Sequence, residues 1–114
     1  MNTGVSDCWL NYVVSVKQTH IIYWRDGKYP ELMELPQSRQ HVHYMFCTGN
    51  DLAIWVLGLH EASVFQSESE AVEAFDRCCK SLHLDNGCYD LSTLKLEKIE
   101  FQFEHVQQLA VSVN

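Results

Sequence analysis

Histidine and cysteine residues near the middle of the chain have the types and spacing to bind a metal ion. His41 and His43 lie two residues apart in a segment that favours a strand, so both rings would point to one face, which Cys47 shares. A tetrahedral site needs further ligands, and no third or fourth ligand follows in sequence. We therefore expect no tightly bound metal and no cofactor, and His41 and His43 are the candidate pair if a metal binds.

Nucleophilic catalysis by a thiol is the second chemistry that the residue types allow. Cys8, Cys47 or Cys88 would need a base nearby and a lowered thiol pKa, and no local signature joins any of the six histidines to a cysteine. Five cysteines, an odd number, favour reduced thiols over a disulfide framework. The glycines form no phosphate-binding motif. The sequence therefore favours binding over catalysis and names no catalytic residue.

Aromatic residues are concentrated in the first half of the chain, where they could form an interaction surface. Tryptophan and tyrosine are enriched where a partner or ligand half-buries them, although strands favour them as well. The candidates are Trp9, Trp24, Tyr29, Tyr44 and Trp55.

Charge is distributed unevenly along the chain, which has a net charge of −7. Residues 58–114 hold ten acidic and four basic side chains, so they carry most of this charge. An acidic surface disfavours direct binding to nucleic acid or to a membrane, since both attract basic proteins. It permits a basic protein partner, for which Glu68, Glu70 and Glu73 are candidate contacts.

Strand-like segments occupy most of the first half. Residues 9–16 alternate as a strand, and His20–Arg25 and Tyr29–Leu35 flank Asp26-Gly27, which predicts a hairpin. A two-residue loop would place Pro30 opposite Tyr23 where an N–H is needed, so we expect a longer loop or an edge strand after Pro30.

A second hairpin is predicted from residues 42–47 and 52–57, joined by a loop of four residues. That loop length would place Phe46 opposite Ala53 and Tyr44 opposite Trp55, with both faces apolar, as in strands buried on both sides. The alternative is that Asp51 caps a helix over residues 51–62.

One amphipathic helix is predicted over residues 68–83. Ser67 and Glu70 form a capping box, and Asp85-Asn86-Gly87 marks the end. The apolar residues recur at three- and four-residue steps, which predicts a buried stripe of Ala71, Val72, Phe75, Cys78, Cys79 and Leu82.

The end of the chain returns to strand. The apolar residues lie at even positions up to Leu96 and at odd positions from Ile99, and this change predicts a β-bulge near Lys98. Residues 106–113 could add a last strand. Residues 1–114 are therefore interpreted as a single α+β domain, a mostly antiparallel sheet of about five to seven strands with one helix on one face. No leader or membrane-spanning segment is visible, so a cytoplasmic location is expected.

The function hypothesis is a non-enzymatic interaction protein, including an acidic inhibitor or immunity-type protein that occludes a basic site on a protein target. The alternatives are a small-ligand-binding domain with a pocket between sheet and helix, and a small metal- or thiol-dependent enzyme. One helix covers only part of one sheet face, and monomers rarely leave a large apolar patch exposed. We therefore also expect a homodimer.

Overall fold

A computed structural model of the protein describes residues 8–102, and the side chains of residues 11–100. In chain order the elements are β1 (Cys8–Gln18), β2 (His20–Arg25), β3 (Tyr29–Glu34), β4 (Val42–Cys47), β5 (Ala53–Val56), α1 (Glu68–Cys78) and β6 (Tyr89–Gln102). The four strands β5-β4-β1-β6 form one antiparallel sheet in that order. This confirms an α+β fold with a mostly antiparallel sheet and one α-helix over the described residues.

The expectation of a single sheet is wrong, because β2 and β3 pair only with each other and form a separate two-stranded sheet. One residue, Thr19, separates β1 from β2, and the N–H groups of Thr19 and His20 both donate to the carbonyl of Cys88 at 2.9 and 3.1 Å. These bonds hold the base of the hairpin where β6 begins, and Leu32 of β3 lies close to Gly87 in the loop before β6. No helix in the described part of the chain is long and apolar enough to span a membrane.

Strand β1 is the centre of the larger sheet. It pairs with β6 from Cys8 to Gln18 and with β4 from Ser15 to Lys17. Val13, Val14 and Val16 are buried, as an inner strand with apolar residues on both faces requires.

Helix α1 packs on one face of this sheet through small side chains. Ala71, Ala74 and Cys78 are buried, and they meet Met45 and Val14 of the sheet. The predicted stripe is therefore partly wrong. Ala74 was missed, and Val72 is 51% exposed, because the small residues and not the larger ones let the helix backbone approach the sheet.

Both ends of the helix differ in detail from the prediction. Ser67 Oγ accepts from the N–H of Glu70 at 3.2 Å, as in a capping box, but the Glu70 carboxylate accepts from Gln66 N–H at 3.2 Å. The α-helix ends at Cys78 instead of residue 83, and a 3₁₀ turn follows from Cys79 to Leu82.

The hydroxyl of Ser81 joins this 3₁₀ turn to the end of the helix and to strand β5. Ser81 Oγ accepts from the N–H of Ala53 at 2.8 Å and lies within donating distance of two carbonyls, Ala53 at 3.0 Å and Cys78 at 2.8 Å. The Trp55 indole N–H donates to Leu82 O at 3.0 Å. The turn is thereby bonded to the edge strand β5.

Residues 53–56 form a strand, but the predicted register of the second hairpin is wrong by one residue. Phe46 pairs with Ile54 and Tyr44 with Val56. The loop has five residues, since the carbonyl of Leu52 accepts from the N–H groups of Thr48 and Gly49 and so belongs to the loop. The slip turns Trp55 toward the helix and Ile54 toward the opposite face.

The first hairpin has a longer loop than two residues, as predicted from Pro30. Asp26, Gly27 and Lys28 form the turn, Asp26 and Gly27 have positive φ, and Pro30 pairs with Trp24.

The predicted bulge near Lys98 is wrong. Pairing between β1 and β6 is unbroken from Cys8↔Gln102 to Ser15↔Lys95, and the register shifts before the next pair, Lys17↔Asp90, so the extra residues are 91–94 of β6. Leu96 faces the helix, whereas Ile99 lies on the other face, so the change of parity is a change of face and not a bulge. The predicted strand over residues 106–113 lies outside the described residues.

Substitution of two buried or half-buried serines by alanine tests how the sheet and the turn after the helix are joined. Ser81→Ala leaves the N–H of the buried Ala53 without its acceptor, which should lower the free energy of unfolding by about 1–3 kcal/mol. Ser15 is also fully buried, but its hydroxyl has no hydrogen-bond partner among the described residues, so Ser15→Ala should be neutral or stabilising. Urea unfolding followed by tryptophan fluorescence measures both, and equal losses in the two variants would contradict this account.

Candidate functional site

Exposed apolar side chains are concentrated on the β2–β3 hairpin, which we call the hairpin arm (residues 20–34). Its two strands carry six large apolar residues that are at least 41% exposed: Ile22, Tyr23, Trp24, Tyr29, Leu32 and Met33. Soluble monomers normally cover apolar groups that are grouped in this way, and exposed groups often mark an interaction site.

The two faces of the hairpin arm differ in chemistry. Alternation and register place Trp24, Ile22 and Leu32 together on one face, which is apolar. On the other face the Arg25 guanidinium lies 5.5 Å from the ring centroid of Tyr29 and 3.0 Å, through Nε, from the Glu31 carboxylate.

Trp24 and Tyr29 therefore lie on opposite faces of the hairpin arm, and both are more than half exposed. The cation–π contact and the ion pair orient Tyr29 and Arg25 near the tip. Tryptophan, tyrosine and arginine are the residues that most often dominate binding energy in protein interfaces.

The other aromatic candidates lie elsewhere. Tyr44 is half-buried on the open face, which is the face of the larger sheet opposite α1, and Trp55 packs against the core beneath the helix. Trp9 lies in β1, and its side chain is outside the described part. The structure thus brings Trp24 and Tyr29 into one element and leaves Tyr44 and Trp55 on opposite sides of the larger sheet.

The acidic candidates lie on one element. Glu68, Glu70 and Glu73 are exposed on the first half of α1. Glu70 is occupied with capping, as described above. Their carboxylates are near the positive end of the helix dipole, which stabilises the helix independently of any partner.

His41 and His43 do not form a metal site with other described residues. His41 is exposed, and the His43 ring is half-buried with its edge toward Tyr89, at a centroid distance of 6.4 Å. Burial lowers the pKa of His43, and the nearby charge of His41 lowers it further. Within residues 8–102, no group of three or more His, Cys, Asp and Glu side chains could hold a metal ion.

The four cysteines whose side chains are described are free thiols, and two of them, Cys78 and Cys88, are buried. The side chain of Cys8 lies outside the described part. Burial raises the pKa of Cys78, and the neighbouring thiol of Cys47 raises it further. Burial also raises the pKa of Cys88. A raised pKa keeps a thiol protonated, which is the opposite of what a nucleophile requires.

An apolar groove between α1 and β6 was not anticipated in this form. It contains a cavity of about 200 Å³ lined by Val14, Ala71, Phe75 and Leu96, among others, and it adjoins a wider depression beside Phe75 and Leu94. The sequence signal for it was the alternation of Leu94 and Leu96 at the start of the last strand. The sequence indicated the exposure of the hairpin arm less clearly. Residues 21–24 are four consecutive large residues, so the strand has no polar face that would mark a side turned to solvent.

Comparison with known proteins gives this chain no relative: no protein family, no characterised protein and no solved structure matches it significantly.

The two adjacent cysteines should differ in reactivity. Cys78 is fully buried, whereas Cys79 is partly exposed on the turn after the helix. In the native state, Cys79→Ser should remove one fast-reacting thiol, and Cys78→Ser should leave the fast count unchanged. An aromatic disulfide reagent counts the thiols before and after denaturation. Loss of a fast-reacting thiol in Cys78→Ser would contradict the assigned burial.

The lowered pKa of His43 predicts a pH dependence of stability. The unfolded chain takes up this proton at the ordinary histidine pKa of about 6.5, above the folded value, so protonation favours unfolding as pH falls. Between pH 7 and pH 5 the wild type should lose more free energy of unfolding than His43→Phe. The exposed His41 provides the control, and His41→Phe should retain most of the decline. An equal decline in wild type and His43→Phe would contradict the prediction.

Proposed function

We propose that this chain is a non-enzymatic interaction protein whose hairpin arm binds a protein partner. The observation that carries the proposal is the exposure of six large apolar side chains on one two-stranded element. An isolated two-stranded hairpin is at best marginally stable in water, so packing against another chain would stabilise it. Trp24 and Leu32 would supply apolar contact, and Arg25 with Tyr29 would supply directed polar contact.

The charge of the chain supports a basic partner. With −7 overall and exposed Glu68 and Glu73 on α1, the protein attracts a basic surface at long range and repels nucleic acid and anionic lipid. An inhibitor or immunity-type protein that occludes a basic site on its target is the form of partner binding that this charge favours. The proposal places it in the cytoplasm, where its thiols remain reduced.

A homodimer is part of the same proposal. On the open face Val42, Phe46 and Ile54 are 39–50% exposed, and the helix covers only the other face. A second copy would remove apolar surface of this kind from water.

A small-ligand-binding domain is the second candidate, and the groove between α1 and β6 favours it. Its cavity of about 200 Å³ is smaller than most drug-sized sites, which start at about 300 Å³. The apolar lining would suit a short aliphatic or aromatic compound. Binding would raise the melting temperature in proportion to the logarithm of ligand concentration.

Substitutions on the hairpin arm test partner binding directly. Trp24→Ala and Tyr29→Ala should each weaken capture of one dominant partner from the native cell at least about tenfold, since both rings would be interface anchors. Their melting temperatures should stay close to that of the wild type because both side chains are exposed. Capture should also weaken with added salt if the partner is basic.

The matched control is Leu52→Ala, which removes an apolar side chain of 58% exposure outside the arm. The Leu52→Ala variant should capture the partner as well as the wild type does. If both arm variants capture the same protein as well as the wild type does, the hairpin arm is not the binding surface.

A further inference from the structure

We propose that the hairpin arm holds its partner by strand addition, in which an extended segment of the partner pairs with the outer edge of β2 between Ile22 and Trp24. This rests on the proposed function, in which the arm binds a protein partner, and it specifies how that partner is held. The segment would become a third strand beside β2, with apolar residues at alternate positions.

Pro30 determines which backbone groups of the hairpin arm point outward. Trp24 and Pro30 lie opposite each other, and proline has no N–H, so this pair cannot be a hydrogen-bonded pair of the ladder. Hydrogen-bonded and non-hydrogen-bonded pairs alternate along an antiparallel ladder, which makes Ile22 and Leu32 the next outward pair. The N–H groups of Ile22 and Trp24 therefore point away from β3, along the outer edge of β2.

The base of this edge already pairs with backbone of the same chain. The N–H of His20, the outward residue before Ile22, donates to the carbonyl of Cys88 at 3.1 Å. Before Cys88 the backbone turns at Gly87, which has a φ of 85°. Among the described residues β2 pairs only with β3, so beyond His20 its outer edge is unpaired in this part of the chain.

The two edges of the hairpin arm differ in how they are protected. Strand β3 has Pro30 at an outward position and carries the exposed charges of Glu31 and Glu34. Proline and charged side chains are the usual protection of a strand edge against pairing. Strand β2 has neither over residues 21–24, which are large and uncharged. The edge of β2 is therefore the one that can accept a strand.

A second copy of the chain does not fit this edge. Two β2 strands related by a two-fold axis at Tyr23 would place Asp26 of the second copy opposite His20, where Cys88 already lies. An axis one residue to either side would pair an outward residue with His20 itself or with the turn. An extended segment of a different protein has neither restriction, because it can end before it reaches Cys88.

The side chains beside the edge define the chemistry of the segment. Ile22 and Trp24 lie on the apolar face of the arm and are 41% and 57% exposed. Tyr23 lies on the other face with Arg25, which is paired with Glu31. Because same-face neighbours on adjacent strands contact each other, the segment would place apolar residues beside Ile22 and Trp24 and polar residues beside Tyr23. The net charge of −7 favours basic residues at its ends.

A synthetic decapeptide of four valine–threonine repeats with a lysine at each end is the probe. At saturating concentration it should slow hydrogen exchange of the Ile22 and Trp24 N–H groups in the ¹⁵N-labelled full chain at least about tenfold, because each gains an acceptor. Without the peptide, both should exchange faster than the N–H groups of Ile21 and Tyr23, which bond to β3. Slow exchange of Ile22 and Trp24 in the free chain would mean that the edge is already occupied by the chain itself or by a second copy. Either that result or unchanged exchange with the peptide would overturn the proposal.

Proline substitutions distinguish the two edges. Ile22→Pro removes an outward N–H from β2, and Leu32→Pro removes one from β3, while neither takes a bond from the ladder between them. Ile22→Pro should weaken peptide binding at least about tenfold relative to Ile22→Ala, which removes the side chain but keeps the N–H. Leu32→Pro is the matched control and should bind the peptide as Leu32→Ala does. Equal losses in the two proline variants, each relative to its alanine variant, would contradict pairing at β2.

Capture of the cellular partner separates this proposal from the proposed function. Ile22→Pro should capture the partner at least about tenfold more weakly than Ile22→Ala does. If Trp24→Ala loses capture while Ile22→Pro and Ile22→Ala capture equally, the arm binds through side chains and strand addition is wrong. If Trp24→Ala and Tyr29→Ala both retain capture, the proposed function fails, whereas the exchange measurement still decides whether the edge accepts a strand.

Discussion

The close packing of helix α1 against the larger sheet is the constraint on which the rest of the structure depends. Small side chains, Ala71 and Ala74, let the helix backbone approach Met45, which is fully buried. Burying a side chain of this size stabilises a fold by roughly 1.5–3 kcal/mol. The same approach brings Ser81 within hydrogen-bonding distance of Ala53, so the edge strand β5 is bonded to the turn after the helix as well as to β4.

Because this packing uses the only described α-helix, the chain has no second layer for its other apolar surfaces. The hairpin arm is held at its base by the bonds from Thr19 and His20 to the carbonyl of Cys88, and it has no helix of its own to pack against. The hairpin arm is exposed because no described helix packs against its apolar residues. An exposed aromatic element that is held at one end is suited to binding, because it is ordered before it meets a partner.

Local signals in the sequence predicted the parts of the fold that depend on neighbouring residues. The Ser67 cap located the start of α1, and Asp26-Gly27 with Pro30 located a hairpin with a longer loop. Register and orientation were not predictable in this way. The one-residue slip of the second hairpin turns Trp55 inward, where its indole N–H bonds to Leu82, far along the chain. Because orientation was not predictable, the candidate surface was a set of aromatic residues that included Trp55, although Trp55 lies beneath the helix.

The position of the hairpin arm relative to the open face has a consequence for binding strength if the chain forms the proposed homodimer. The arm is bonded to the chain at Cys88, whereas the exposed residues of the open face, Val42, Phe46 and Ile54, lie in β4 and β5. The two surfaces share no residue, so a dimer formed through the open face would not use the residues of either arm. Two arms on one particle bind a dimeric or repeated target more tightly than either alone, since the second contact forms at a high effective concentration. Self-association would thus strengthen partner binding without any new contact to the partner.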